Sequence, residues 1–273
     1  MNRQSEVFVE ERLTRELARK LCNRESVFGE ECEWYHGNWN LLRRLGMVSN
    51  PFWHEGFYAD GVRASINENN GGSRILISGA ADEAMLSCVL NALGSINIEV
   101  YMIDLCRTPL EVARAYAHSL GRDVKILRCD ARKMPFEDGC FSLIVTDAFL
   151  TRFDPRDKRM IVDEWRRVLK ENGKVFTTVR VESNCNGGVK SSLPDMIRYV
   201  GDAALRGIRK RINPIRTISS AFAYSSRIDS KPFHNISEIK RLFRNFQTVN
   251  IELTGSHFRE VETKEYARIE AIA

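Results

Sequence analysis

The sequence is poor in the features that mark specialised classes of protein. Its seven cysteines (22, 32, 88, 106, 129, 140 and 185) are odd in number, and no two stand in a Cys-x-x-Cys pair. That scatter suggests neither a disulfide framework nor a zinc site. Cys88, Cys106 and Cys129 lie in apolar surroundings and are expected to pack as small hydrophobes. No run approaches the roughly 20 apolar residues needed to cross a bilayer. The opening stretch, "MNRQSEVFVEERLTRELARKL", lacks the apolar segment of a secretion signal. These absences point to a reducing, cytoplasmic setting with no membrane partner. Charge of one sign is scarce too. The 41 basic and 36 acidic residues leave a net +5, compatible with an anionic ligand but too little to argue for nucleic acid. The densest basic stretch, "RGIRKRINPIR", reads as a solvated helix face.

What is present is an ordinary globular composition over 273 residues, long enough for one large α/β domain or two small ones. Residues 5–24 place Val9, Leu13, Leu17 and Leu21 at helical spacing among charges, an amphipathic helix. Residues 32–62 are dense in aromatics and hold His36 and His54. Within them "NWNLLRRLG" reads as a short helix closed by Gly46, and Pro51 as the start of an irregular aromatic segment. The turn-rich "NENNGGS" is the first boundary. Residues 1–70 are therefore read as an N-terminal helical and aromatic lid, and 71–273 as a sheet domain.

From Arg74 strands and helices alternate. "RILIS", "IEVYMID", "VKILRCD", "FSLIVTD" and "GKVFTTVRV" are strands, with helices between most of them. Alternation at these lengths predicts βαβ units and a doubly wound, mostly parallel sheet covered on both faces. The rhythm lapses over 183–235, an insertion with helix around 194–211. It resumes with "SEIKRLFRNF", "TVNIEL" and "EYARIEAIA", the last two predicted to pair antiparallel as the end of a seven-stranded sheet.

In an open parallel sheet, ligands bind beyond the carboxyl ends of the strands near the switch point. The first strand runs into Ser78-Gly79-Ala80-Ala81, the second ends at Asp104-Leu105, the third at Asp130-Ala131 and the fourth at Asp147-Ala148. An acid closing the strand after a glycine turn suits a ribose, whose vicinal hydroxyls donate to one carboxylate. A second acid followed by a small residue suits an adenine edge.

The stretch "CDARKMPFEDGCFSLIVTDAFLTRF", followed by "DEWRRVLKENGKVFTTV", closely resembles the class I S-adenosylmethionine (SAM) dependent methyltransferases. The likeness covers 74–181 and resumes at 236–273. It implies SAM as co-substrate and no metal. It sets Gly79, with Ala80 and Ala81, at the methionine end, Asp104 and Leu105 at the ribose, and Asp130 and Ala131 at the adenine; Asp147, also a cofactor-site candidate, orients a substrate or caps the helix that starts at Pro155. The glycine loop departs from the family pattern, since Ile77 replaces an acid and Ala81 and Glu83 replace glycines. A carboxylate at Glu83 admits two roles. It caps the first turn of the helix, or it joins Asp82 in holding the α-ammonium of SAM.

The substrate side must come from outside the sheet. Tyr35, His36 and Asp147 are the candidates there for positioning or proton transfer; His54, Tyr199, Tyr224 and His234 are weaker ones. Three functions follow. The first is methyl transfer to a small-molecule acceptor in a closed pocket. The second uses another carbon of SAM, transferring the aminocarboxypropyl arm or closing it into a ring. The third, an RNA-modifying or regulatory protein, rests on the basic stretch alone.

Overall fold

The structure is a computed structural model that describes residues 9–22, 32–68, 72–182, 193–210, 212–227, 230–254 and 265–273. Cys185, Arg211 and the connection 255–264 lie outside the described residues.

In chain order the elements are α1 (Glu11–Leu21), α2 (Cys32–Arg44), α3 (Glu55–Glu68), β1 (Arg74–Ser78), α4 (Ala84–Leu93), β2 (Glu99–Asp104), α5 (Arg107–Ser119), β3 (Lys125–Arg128) and β4 (Phe141–Thr146). There follow α6 (Pro155–Val168), β5 (Leu169–Val181), α7 (Leu193–Arg209), α8 (Pro214–Arg227), α9 (Ile236–Leu242), β6 (Thr248–Thr254) and β7 (Glu265–Ile272). Short 3-10 turns span Pro51–His54 and Phe149–Arg152. The seven strands form one sheet in the order β3-β2-β1-β4-β5-β7-β6. The first five pair in parallel, while β7 runs antiparallel to both β5 and β6. The doubly wound architecture expected from the alternation is the one observed.

Side chains alternate between the two faces of the sheet, as the period of two requires. Ile75, Ile77, Val100, Met102, Leu143 and Val145 meet α3, α4 and α5 on one face. Leu76, Ile103, Ile144, Val175 and Val179 meet α6 and α9 on the other. Between β1 and β4 the winding reverses, and this is the switch point. A third, smaller core lies off the sheet. There Leu41, Leu42 and Leu45 of α2 and its end pack with Ala203 of α7 and Ala221 of α8.

Residues 51–68 differ from the expected irregular segment. Asn50 accepts from the Phe52 amide and Pro51 stands at the first helical position, so a 3-10 turn nucleates directly into α3. Tyr58 and Val62 of α3 belong to the core on the sheet face. The helix comes close because Gly61 has no side chain: a Cβ there would lie 2.7 Å from the Phe176 ring. Helix α3 is thus a layer of the sandwich, while α1 and α2 lie outside it, α1 against α5 and α2 against α8.

Candidate active site

Strand β1 delivers its last buried residue, Ser78, to the indole of Trp165, whose Nε1 donates to Ser78 Oγ at 2.9 Å. The chain then turns at Gly79, which adopts φ +75. A Cβ at Gly79 would stand 2.2 Å from the Phe149 ring, so the position needs glycine for its backbone and for the approach of Phe149. Gly79 thereby joins two halves of the sheet edge. On one side the next amide, Ala80, donates to Asp104 Oδ2 at 3.1 Å. On the other stands the turn that follows β4.

Asp104 closes β2, and its two oxygens are fixed separately. Oδ1 accepts from the Cys106 amide at 2.7 Å, and Oδ2 from Ala80. Burial pushes its carboxyl up to about 6, against the opposing pull of nearby His36 and of the two amides. Leu105 spends its carbonyl on the Arg128 guanidinium. Asp130, beyond β3, lies in a bidentate pair with Arg132, which also reaches Asp157. Burial raises the Asp130 carboxyl, but Arg132 outweighs it and leaves the group below the ordinary range. Ala131 is buried beside it.

The residues after Ala81 are held from outside the sheet. Arg43, on α2 and fully buried, donates Nε to Asp82 Oδ2 and Nη2 to Glu83 Oε1, both at 2.7 Å. Asp82 caps α4 through the Ala84 amide at 3.0 Å. Glu83 makes no capping bond and instead accepts from Asn40 and from the Val9 amide. One guanidinium faces two carboxylates. Burial, with Asp82 adding to it, pushes Glu83 up to about 7 despite Arg43. Glu83 Oε2 is buried without a hydrogen-bond partner among the described residues.

Asp147, after β4, accepts from Thr178 Oγ1 at 2.7 Å and Tyr58 Oη at 3.0 Å. Burial raises its carboxyl, opposed by those two hydroxyls and Ser49, while Asp82 adds a like charge. Ala148 takes a left-handed φ of 51, and its amide donates to the Thr178 carbonyl and hydroxyl.

The lid candidates disperse. Tyr35 stacks near Trp39 and carries the Arg152 guanidinium over its ring at 5.2 Å, a contact from α2 to the turn after β4. His36 is buried, and its Nδ1 lies 3.3 Å from Cys32 Sγ and 3.6 Å from Cys22 Sγ. Burial lowers its pKa, but Cys106 and Cys22, with the Asp104 charge nearby, outweigh that and raise it to about 10. Cys106 thus departs from the expected small hydrophobe: it caps α5 and meets Cys22 and Cys32. His54 accepts from Arg268 and packs on Tyr266. Tyr224 meets Trp39, and His234 is exposed; nothing is described of the Tyr199 side chain. The basic stretch is partly spent within the protein, Arg216 on Glu11 and Lys210 on the Arg44 carbonyl. Sequence reasoning missed Arg43. Its only signal was a basic residue inside the apolar stripe of "NWNLLRRLG".

Residues 82–177 match a family described as a methyltransferase domain. A curated relative, an uncharacterised protein of Haemophilus influenzae, is 35% identical over 77 residues, 28% of this chain and 31% of its own length. The match therefore spans about a third of that relative. Among solved structures, a SAM-dependent methyltransferase of Methanosarcina mazei is 17% identical, with 72% of this chain and 91% of the other covered and a TM-score of 0.47. A phosphoethanolamine N-methyltransferase of Haemonchus contortus is 15% identical, with 74% and 48% covered and a TM-score of 0.48. No helix among the described residues is long and apolar enough to cross a membrane. The segment similar to that methyltransferase domain, residues 82–177, carries β2, β3, β4 and most of β5 of the sheet, and so one flank of the switch point.

Proposed function

We propose that the chain transfers the methyl group of SAM to a small-molecule acceptor. The observation that supports this best is Asp104, a carboxylate held by the Ala80 and Cys106 amides beside the Gly79 turn. Each oxygen of an ionised carboxylate offers about two acceptor sites. One amide per oxygen therefore leaves each a site for a ribose hydroxyl. Asp130, kept ionised by Arg132, serves the adenine with Ala131 and Asp147, and Leu105 flanks the ribose. The backbone of Gly79, Ala80 and Ala81 serves the methionine end.

SAM supplies an electrophilic carbon next to a sulfonium, and the chain's part is binding, orientation and exclusion of water. The Asp82–Glu83–Arg43 cluster has one cation for two acids, and Glu83 Oε2 keeps an unused acceptor. That excess suits the α-ammonium, the role that Ile77 cannot play. Asp147, with Tyr58 and Thr178, positions the acceptor, and Tyr35 closes over it from the lid. Residues 1–70 act as that lid through α1 and α2, tied to the loop by Arg43, and the covered edge favours a small acceptor over a macromolecule.

The test is incubation of purified protein with SAM and fractionated metabolite extract, read by mass spectrometry. S-adenosylhomocysteine with a methylated metabolite is the expected product pair. Methylthioadenosine instead of S-adenosylhomocysteine means aminocarboxypropyl chemistry, and methylation of RNA alone overturns the small acceptor.

A further inference from the structure

Four side chains from three separate elements converge beside the sheet edge. Cys22 ends α1, Cys32 and His36 lie one turn apart on α2, and Cys106 caps α5. Cys22 Sγ is 3.6 Å from Cys106 Sγ and 3.6 Å from His36 Nδ1. Cys32 Sγ is 3.5 Å from Cys106 Sγ and 3.3 Å from His36 Nδ1. All four atoms lie within 4.8 Å of one another. We propose that these residues form a closed Cys3His site for one tetrahedral zinc ion, which clamps α1 and α2 to the turn after β2.

The distances distinguish a single ion from an iron–sulfur cluster and from a set of thiol hydrogen bonds. With Zn–S near 2.3 Å and Zn–N near 2.0 Å, a tetrahedron sets its sulfurs about 3.8 Å apart and sulfur from nitrogen about 3.5 Å. Four of the six edges, at 3.3–3.6 Å, match that single-ion figure, and the other two are within 4.8 Å. A multinuclear iron–sulfur cluster attaches its thiolates to different irons and spreads them farther apart. Hydrogen bonding among thiols is weak and gives no reason to gather three sulfurs around one imidazole nitrogen.

The surroundings supply what thiolates need. The Thr108 amide donates to Cys106 Sγ at 3.4 Å, and Thr108 Oγ1 lies 3.1 Å from Cys22 Sγ. Both donors come from the first turn of α5, whose dipole also favours negative charge. The bound form is three thiolates and a neutral imidazole coordinating through Nδ1, and every proton these four groups carry beyond that form goes to solvent. The three negative charges against the ion's two leave a net of minus one, which the helix terminus and Thr108 offset. Three thiolates and an imidazole are soft enough to select zinc over magnesium or calcium. Four protein ligands leave no open position, so the ion is structural and not a Lewis acid for the substrate. Cys106 stands two residues beyond Asp104. The clamp therefore fixes the lid helices against the strand end proposed to hold the ribose.

The test uses the full chain purified under reducing conditions, and its readouts do not depend on which group is transferred. Elemental analysis should find one zinc per chain. After chelation, cobalt(II) should titrate to one equivalent and give the intense visible absorption of tetrahedral cobalt with thiolate charge transfer. Cys106→Ser and His36→Ala should lose that signal, while Cys140→Ser, outside the cluster, keeps it. If the variants fail to fold, the cobalt spectrum of the unaltered chain decides. The site is overturned if that chain takes up neither metal, if its cobalt spectrum is octahedral without thiolate bands, or if a Cys22–Cys106 or Cys32–Cys106 disulfide replaces metal in the purified protein. It is also overturned if folded Cys106→Ser and His36→Ala bind cobalt as the unaltered chain does.

Discussion

The two sides of the switch point are held together differently. After β4, Asp147 is fixed by Tyr58 of α3 and Thr178 of β5, both parts of the packed sandwich. After β1 and β2, the groups are fixed from outside the sheet, by Arg43 of α2 and by Cys22, Cys32 and His36 around Cys106. One side inherits its order from the hydrophobic core. The other depends on charges and sulfurs that must first be brought up by the N-terminal helices. The β1–β2 side should therefore be the more fragile under single substitutions, and also the side where the proposed lid and the proposed SAM site are energetically linked.

The largest effect should come from Arg43→Met. Methionine keeps much of the volume but leaves Asp82 and Glu83 buried without a cation. Removing one partner of a buried pair costs about 3–5 kcal/mol. Urea unfolding should show that loss, and SAM affinity should fall with it because α2 loses its hold on the loop. A loss below about 1 kcal/mol means that the cluster behaves like a surface pair, and the contrast between the two sides collapses.

Next comes Asp104→Ala, which should act on ligand and leave the sandwich intact. A charge-assisted partner contributes about 1.5–3 kcal/mol, so SAM affinity should fall roughly 10- to 100-fold. Calorimetry beside an unchanged circular dichroism spectrum checks it. Undiminished affinity removes the ribose assignment.

The same contrast explains how much of the molecule could be read from its sequence. Strands β1 to β5 and the antiparallel β6–β7 pair were legible because buried strands and covering helices differ in period. The acids at the strand ends were legible because the switch point depends on strand order alone. Helix α3 was not. Pro51 read as the start of an irregular segment, yet it starts the 3-10 turn that leads into the helix, and Gly61 makes room for Phe176. The outer supports were least legible. Cys22, Cys32 and Cys106 are brought together by tertiary folding, and only Cys32 and His36, one helical turn apart, left a local trace. Arg43 left one local sign, its place inside the apolar stripe of "NWNLLRRLG", and that sign does not show which two acids its side chain meets.

The smallest effect should be that of Tyr58→Phe, on the side ordered by the core, and pH sharpens it. The Tyr58 hydroxyl has one proton and three acceptors in reach: the Thr146 carbonyl at 2.9 Å, Asp147 Oδ1 at 3.0 Å and Thr178 Oγ1 at 3.3 Å. Thr178 already donates to Asp147 and accepts from the Ala148 amide, which leaves the contest between a neutral carbonyl and a carboxylate. Charge-assisted bonds are the stronger, so the proton should go to Asp147. Losing the bond should cost about 1.5 kcal/mol at neutral pH, the low end for a charge-assisted bond. Burial holds the Asp147 carboxyl above its ordinary value of 3.8 in the folded chain. An acid raised in this way is most favourable to folding below its unfolded pKa, and that advantage is lost as pH rises through the folded pKa. Without Tyr58 one of the groups opposing the upshift is gone, so the folded pKa should rise further and the ionised form become costlier. The deficit of Tyr58→Phe should therefore be small below pH 3.8, where an acid raised above that value is mostly protonated in both proteins, and should grow as pH rises toward neutrality. Denaturant melts of both proteins across that range give the slope. A deficit that stays constant with pH assigns the proton to the Thr146 carbonyl, and Asp147 is then held by Thr178 and Ser49 without help from α3.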